Sequence, residues 1–153
     1  MDKTVLCYLE KNDCYLMLYR NKKEHDLNEG KWIGIGGHIE QGETKEEALI
    51  REIKEETNLD LKSFKYYGEI IFVNDDYSEV MYLYTSNDFT GDMKPCDEGE
   101  LRWIKKSEIL NLNLWEGDRI FLPMLMSGKD NIKLKLVYSG KILKNVENSG
   151  DLL

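Results

Sequence analysis

A dense run of glutamates on one short helix, directly after a cluster of glycines, constrains the fold of this chain more than any other feature. Residues 37–59 read GHIEQGETKEEALIREIKEETNL. The fourteen positions 43–56 contain six glutamates: Glu43, Glu46, Glu47, Glu52, Glu55 and Glu56. Like charges one turn apart on a helix repel one another. This segment therefore indicates that a positively charged group lies among its carboxylates.

The start and the end of this helix can be read from the sequence. Thr44 and Glu47 fit a reciprocal capping box, in which each side chain accepts a hydrogen bond from a free amide of the first turn. An apolar stripe follows, formed by Ala48, Leu49 and Ile53. Asn58 suits the left-handed position that ends many helices. We therefore predict a helix over residues 44–57.

Strand and helix patterns alternate through the rest of the chain, with no internal repeat. The predicted elements are a hairpin at 4–20, a strand that ends at Gly34, Gly36 and Gly37, strands at 64–73, 79–85, 101–104 and 132–136, a helical turn at 107–110 and a helix at 116–126 that contains Pro123. This order predicts an α/β or α+β fold in which helices cover a sheet. With 153 residues, we expect a single domain over residues 1–153.

The charge balance argues against a nucleic-acid partner. The chain has 21 Lys and Arg against 29 Asp and Glu, a formal net charge of −8, which repels a polyanion such as duplex DNA. A small phosphate ligand remains compatible with this charge if a divalent metal supplies local positive charge.

Cysteine usage and hydropathy bear on the compartment. Cys7, Cys14 and Cys96 are odd in number and lack CxxC spacing, which favours reduced thiols. No apolar run approaches the roughly 20 residues that span a bilayer, and the N-terminus does not resemble a secretory signal. We expect a cytoplasmic protein without a membrane partner, and the sequence leaves its oligomeric state open.

Three of the glutamates share one face of the predicted helix. Glu56 lies about 40° from Glu52 around the helix axis and Glu55 about 60° from it, since successive helical residues advance by about 100°. Such a face can hold Mg²⁺, which prefers oxygen ligands. The alternative is a solvated face with pairs such as Arg51 and Glu55, each worth a few tenths of a kcal/mol.

The same residues resemble the signature of the Nudix hydrolases, which cleave a nucleoside diphosphate linked to another group. Gly37, then Glu43, then the run Arg51 to Leu59 (REIKEETNL) fall at the spacing of that signature. The match covers 23 residues and departs from the usual pattern at Asn58, where the family usually has glycine. The resemblance implies a Nudix-type α/β/α sandwich with a mixed β-sheet.

By position, the resemblance also implies the chemistry. Glu52, Glu55, Glu56 and the carbonyl of Gly37 are expected to hold Mg²⁺, with Mn²⁺ as a second possible metal, while Arg51 orients a glutamate. Glu43 is expected to brace the loop. A carboxylate, with Glu52 the first choice, takes a proton from the attacking water.

A second resemblance, to bacterial MutT-type 8-oxo-dGTP diphosphatases, covers the stretches 28–38, 96–103 and 113–118. It implies that Glu98 is a fourth metal ligand or a competing general base. It also implies that Trp115 and Asp118 read a purine by stacking and hydrogen bonding, and Gly36 is assigned to the substrate as well. Ile33 stands where related mammalian enzymes carry a base-reading Asn.

These observations predict hydrolysis of a nucleoside triphosphate, with 8-oxo-dGTP or a related purine dNTP as substrate, to a monophosphate and pyrophosphate. This activity would clear damaged precursors before DNA synthesis. The alternatives are a dinucleoside polyphosphate substrate, toward which Tyr77 points, an ADP-ribose substrate, or a nucleotide-binding module without turnover.

Overall fold

The computed structural model describes residues 1–22 and 26–148. The described strands are β1 (Asp2–Lys11), β2 (Cys14–Tyr19), β3 (Trp32–Ile33), β4 (Ile35–His38), β5 (Asp60–Asn74), β6 (Tyr77–Thr90), β7 (Glu100–Lys105), β8 (Ile132–Ser139) and β9 (Ile142–Asn148). The described helices are α1 (Lys45–Thr57), a 3₁₀ helix (Lys106–Asn111) and α2 (Asp118–Met126).

The strands form one mixed sheet, which confirms the predicted α/β class. Its order is β3-β2-β1-β6-β5-β8-β9, while β4 pairs with β1 and β7 pairs with β2. The β1–β6 and β5–β8 pairs are parallel, and the other pairs are antiparallel. Because β1 pairs with β4 and β6, the glycines of β4 lie beside the centre of the sheet.

Side chains of alternate strand residues pack into two apolar cores, one on each face of the sheet. Cys7 and Leu9 of β1 pack with Leu49 and Ile53 of α1. Tyr8, between them in sequence, belongs to the other core, which includes Phe121, Leu122 and Leu125 of α2. This alternation follows from the two-residue period of a strand, and it places a helix against each face, as the α/β/α prediction requires.

Helix α1 has both of its predicted ends. Thr44 accepts a hydrogen bond from the Glu47 amide at 3.1 Å, and Glu47 accepts one from the Thr44 amide at 3.0 Å, so the capping box is complete. Asn58 adopts the left-handed conformation with φ of 69°. Its amide donates to the Lys54 carbonyl at 2.9 Å, which closes the helix.

The other predicted elements are present, with shifted bounds. Strands β5 and β6 extend further than predicted and pair over most of their length, with irregular register near Leu61, Ser63 and Tyr66. Helix α2 begins at Asp118 and continues past Pro123. The sequence reading missed β9, whose residues are largely exposed and lack strict alternation of apolar side chains.

Among the described residues, no helix is both long enough and apolar enough to cross a membrane.

Candidate active site

One cavity of about 480 Å³ brings two groups of predicted site residues together. The first group, here called the carboxylate cluster, consists of Glu52, Glu56 and Glu98. The second group contains Trp115 and Asp118. These residues are far apart in sequence, and the fold joins them in a single cavity.

Strand β4 and helix α1 position two members of the carboxylate cluster. Glu52 and Glu56 lie one turn apart on α1 and face β4. The Gly36 amide donates to Glu56 Oε2 at 3.1 Å. A methyl group added at Gly37 would lie 2.5 Å from the Glu52 carboxyl carbon, closer than atoms can approach. Gly37 therefore allows the backbone of β4 to lie against the Glu52 carboxylate, while the Gly36 amide binds Glu56.

Arg51 connects the helix to the preceding loop and to its neighbouring glutamates. Its Nε and Nη2 donate to Glu43 at 2.6 and 3.0 Å, and its Nη2 donates to the His38 carbonyl at 3.0 Å. Its Nη1 donates to Glu52 at 2.8 Å and to Glu55 at 3.2 Å. Arg51 thus supplies part of the positive charge that the glutamate run requires.

Glu98 lies across the cavity on the loop before β7. Arg20 Nη1 donates to Glu98 Oε2 at 2.8 Å, and Arg20 Nε donates to Asp26 at 2.7 Å. Glu98 also lies close enough to Glu56 to raise the pKa of that carboxyl. The loop residue predicted to face the helical carboxylates therefore does so.

Burial and mutual repulsion act on the carboxylates of α1. Burial raises the pKa of Glu56 to about 9, and the hydrogen bond and charge of Glu98 add to that effect, followed by the charge of Glu52. Burial also raises the pKa of Glu52, although Arg51 opposes this shift. A raised carboxyl pKa means that the ionised form lacks compensating charge, so a cation bound here would be favoured.

The side chains require some movement to surround a cation. As they stand, the described residues contain no group of three or more His, Cys, Asp or Glu side chains arranged to hold a metal ion. Glu55 does not line the cavity, and its side chain, 58% exposed, is paired with Arg51. The carboxylate oxygens are nevertheless the ligands that Mg²⁺ prefers, and the uncompensated charge on Glu56 fits such an ion.

Trp115 of the second group belongs to an aromatic pocket, here defined as Phe72, Trp115 and Tyr138. The Trp115 ring meets Phe72 and Tyr138 edge-on at centroid distances of 5.9 and 5.2 Å. Trp115 Nε1 donates to Asn28 Oδ1 at 2.7 Å, and the Lys31 ammonium lies 5.5 Å from the Trp115 ring centroid. Trp115 is therefore fixed in orientation while its ring borders the cavity.

Asp118 lies at the start of α2 beside this pocket, with 8% of its surface exposed. Burial raises the pKa of its carboxyl to about 7, and the charges of Lys31 and Arg119 oppose that shift. A carboxyl with this pKa can both donate and accept hydrogen bonds near neutral pH.

Several residues of the cavity were not identified from the sequence. Phe72 and Tyr138 belong to strands whose local pattern resembles that of any core strand. Tyr8 carries a buried hydroxyl with no hydrogen-bond partner among the described residues, and its pKa is raised first by burial and then by the charge of Asp118. For Arg20 the sequence does offer an indication. It directly follows an apolar strand, and a basic residue in such a position often pairs with an acidic side chain.

Comparison with protein families identifies the domain type. A model of the NUDIX domain matches residues 2–125, which include the carboxylate cluster, Trp115 and Asp118.

Individual relatives are distant. The uncharacterized Nudix hydrolase YvcI of Bacillus subtilis is 27% identical over 135 residues, covering 84% of this chain and 82% of YvcI. The oxidized purine nucleoside triphosphate hydrolase of Danio rerio is 28% identical over 109 residues, 70% of each chain. The crystal structure of a MutT protein from Bacillus halodurans superposes with a TM-score of 0.87 at 23% identity, covering 98% of this chain and 99% of that one.

Proposed function

Because the chain belongs to the NUDIX domain family and is a Nudix hydrolase, we propose that it hydrolyses a nucleoside triphosphate to a monophosphate and pyrophosphate. The preferred substrate in this proposal is 8-oxo-dGTP or a related purine dNTP, so the enzyme would sanitise the nucleotide pool of the cytoplasm. The observation that carries the proposal is the single cavity in which the carboxylate cluster and the aromatic pocket meet. A triphosphate and its base need these two environments side by side.

The carboxylates supply the reaction chemistry in this proposal. Glu52, Glu56, Glu98 and the Gly37 carbonyl would hold Mg²⁺ or Mn²⁺, which would neutralise phosphate charge and lower the pKa of a bound water. Glu55 would join them only after its exposed side chain leaves Arg51. Glu52 accepts the proton as the water oxygen attacks phosphorus and the bond to the leaving phosphate oxygen breaks. Glu98 is the competing general base. Arg51 fixes the Glu52 carboxylate through its 2.8 Å hydrogen bond.

The aromatic pocket supplies base recognition. Stacking against an aromatic ring stabilises a bound base by about 1–3 kcal/mol, and Trp115 borders the cavity in a fixed orientation. Asp118, whose pKa is about 7, can donate to or accept from a polar base edge. Gly36, which lines the same cavity, would contact the substrate. The likeness to the oxidized purine nucleoside triphosphate hydrolase of Danio rerio supports a purine.

The substrate alternatives differ in how well the cavity supports them. Tyr77, which pointed to dinucleoside polyphosphates, packs edge-on against Phe72 at 6.4 Å but is not among the residues that line the cavity. The glutamates Glu52, Glu55 and Glu56 are all present, which argues against a module that binds nucleotides without turnover.

A substrate panel tests this proposal. The purified chain is assayed with Mg²⁺ on 8-oxo-dGTP, the four common dNTPs, ADP-ribose and a diadenosine polyphosphate, and kcat/KM is determined for each. The proposal predicts the highest kcat/KM for an oxidised purine triphosphate. A preference for ADP-ribose or the dinucleotide would reject the assigned substrate, and binding without turnover of any compound would reject the assigned activity.

A further inference from the structure

A continuous series of hydrogen bonds connects the aromatic pocket to the carboxylate cluster. It begins at Trp115, whose Nε1 donates to Asn28 Oδ1 at 2.7 Å. The backbone amide of Asn28 in turn donates to Asp26 Oδ1 at 3.3 Å. The other oxygen of the same carboxylate, Asp26 Oδ2, accepts from Arg20 Nε at 2.7 Å. Asp26 is thus shared between the segment that holds Trp115 and a buried arginine.

Arg20 completes the connection to Glu98. Its side chain is only 10% exposed, and its Nη1 donates to Glu98 Oε2 at 2.8 Å. The planar guanidinium holds its two acidic partners in a fixed relative orientation. A displacement of Asp26 therefore changes where Arg20 places the carboxylate of Glu98.

The segment that carries Asn28 is attached independently to the body of the protein. The Gly30 amide donates to the Arg20 carbonyl at 2.8 Å, and the Arg20 amide donates to the Lys31 carbonyl at 3.0 Å. Asn113 Nδ2 donates to the Gly30 carbonyl at 2.7 Å. Removal of one side-chain link should consequently leave the segment folded, which makes single substitutions informative.

We propose that Asn28 and Asp26 are positioning residues that couple occupation of the aromatic pocket to the placement of Glu98. This inference rests on the proposed function. The Asn28 hydrogen bond already orients Trp115, and a base that stacks on the indole limits its remaining motion. Through Asn28 this further restrains Asp26, so that Arg20 holds Glu98 where it contacts the reacting groups. Contiguous hydrogen bonds and ion pairs can carry such coupling, and small displacements of a reacting group slow catalysis strongly.

The first test compares a nucleotide with a substrate that lacks the base. Asn28→Ala removes the acceptor of Trp115 and leaves the backbone bond to Asp26 in place. With 8-oxo-dGTP, kcat should fall about 10-fold. With 2-deoxyribose 5′-triphosphate, which cannot stack, kcat of the variant should equal that of wild type. The ratio of kcat for 8-oxo-dGTP to kcat for the base-free compound should therefore be smaller in Asn28→Ala than in wild type.

Two variants separate this coupling from a general loss of structure. Asn28→Asp keeps an acceptor for Trp115 Nε1 and should restore kcat toward wild type. Asn113→Ala breaks a hydrogen bond to the same segment outside the series and should leave the ratio of the two kcat values unchanged. An equal loss with both substrates would overturn the proposal. A change in KM alone would also overturn it, since Asn28 would then only shape the pocket.

The second test does not depend on turnover. Asp26→Ala interrupts the series in its middle, and backbone amides around Glu98 (residues 97–100) should exchange hydrogen faster in the free protein, while Asn113→Ala leaves their exchange unchanged. Unchanged exchange in Asp26→Ala would overturn the proposal. If the wild-type chain hydrolysed no triphosphate, the proposed function would fail in the first assay, whereas this measurement would still decide whether Asp26 holds Glu98 in place.

Discussion

Glu56 is the residue in which the constraints of fold and chemistry meet most directly. It lies in a buried position, accepts a hydrogen bond from Gly36, and its pKa is raised to about 9 by burial and by Glu98 and Glu52. A buried carboxylate surrounded by others is unfavourable for an empty protein. Its presence is understandable if the site has to attract a cation.

Glu56→Gln should therefore separate activity from stability. We expect kcat to fall by about 100-fold or more, because an amide is a weaker metal ligand than a carboxylate. The melting temperature of the metal-free protein should not fall, since the neutral amide resembles the protonated acid. Steady-state kinetics and thermal denaturation measure the two effects.

Glu47→Gln is the matched control, because glutamine also satisfies the capping box at that position of α1. It should change neither kcat nor the melting temperature appreciably. If Glu56→Gln retained activity within a few-fold of wild type, the metal assignment of Glu56 would be wrong.

Asp118 should make stability depend on pH. Burial raises its folded pKa to about 7, whereas an unfolded aspartate has a pKa of about 4. Between these values the folded state binds more protons, so the wild-type protein loses stability as pH rises from about 4 to 7. Asp118→Asn removes this loss. Its melting temperature relative to wild type should increase over that interval and level off above pH 7, while a constant difference would contradict the shifted pKa.

Trp115→Ala should weaken substrate binding and also destabilise the protein. The loss of base stacking should raise KM roughly 10-fold. Because Trp115 is 6% exposed and packs against Phe72 and Tyr138, the free energy of unfolding should fall by about 3–5 kcal/mol. Kinetics must therefore be measured below the melting temperature of the variant, and a normal KM there would remove Trp115 from the binding site.

Residue spacing alone grouped candidate site residues only where their relation is local, whereas Glu98, Trp115 and Asp118 were assigned through the resemblance. Glu52, Glu55 and Glu56 could be grouped because helical spacing fixes their directions. The contact between Arg20 and Glu98 joins residues 78 positions apart, and that between Asn28 and Trp115 spans 87 positions. Such pairs depend on strand order and loop path, which residue spacing does not encode.

At the scale of secondary structure, the end of α1 offers a sensitive test. Asn58 has φ of 69°, and its side chain donates to the Asp92 carbonyl at 3.0 Å. Asn58→Ala places a residue without this hydrogen bond in a left-handed conformation, which should lower the free energy of unfolding by about 1–2 kcal/mol. Chemical denaturation measures this change.

Asn58→Gly provides the control, because glycine adopts the same conformation without strain. It should recover most of the stability that Asn58→Ala loses. If both variants were equally destabilised, the Asp92 hydrogen bond rather than the backbone conformation would determine stability at this position.

The elements themselves were predicted to different degrees for physical reasons. The capping box and the apolar stripe predict the bounds of α1 to within one helical turn, because both depend on residues close together in sequence. Strand β9 lacks strict apolar alternation and is held by pairing with β8, which is a tertiary interaction. The irregular register of β5 and β6 likewise follows from packing that no short window of sequence specifies.

At the scale of the whole molecule, the sheet brings the carboxylate cluster and the aromatic pocket, which we propose bind the phosphates and the base, into one cavity. Strand β4 and helix α1 supply Gly37, Glu52 and Glu56, while α2 and the segment before it supply Asp118 and Trp115. The order of elements left an α/β or an α+β fold open, and the resemblance implied the α/β/α sandwich. The joining of the two groups likewise followed only from the resemblance and then from the structure.

Product analysis with 8-oxo-dGTP tests the central claim most directly. Phosphorus NMR of the reaction in Mg²⁺, with a parallel sample in excess chelator, identifies which phosphate bond breaks and whether metal is required. The account predicts equimolar nucleoside monophosphate and pyrophosphate with Mg²⁺ and no turnover with chelator. Release of orthophosphate, or turnover that persists without metal, would contradict it.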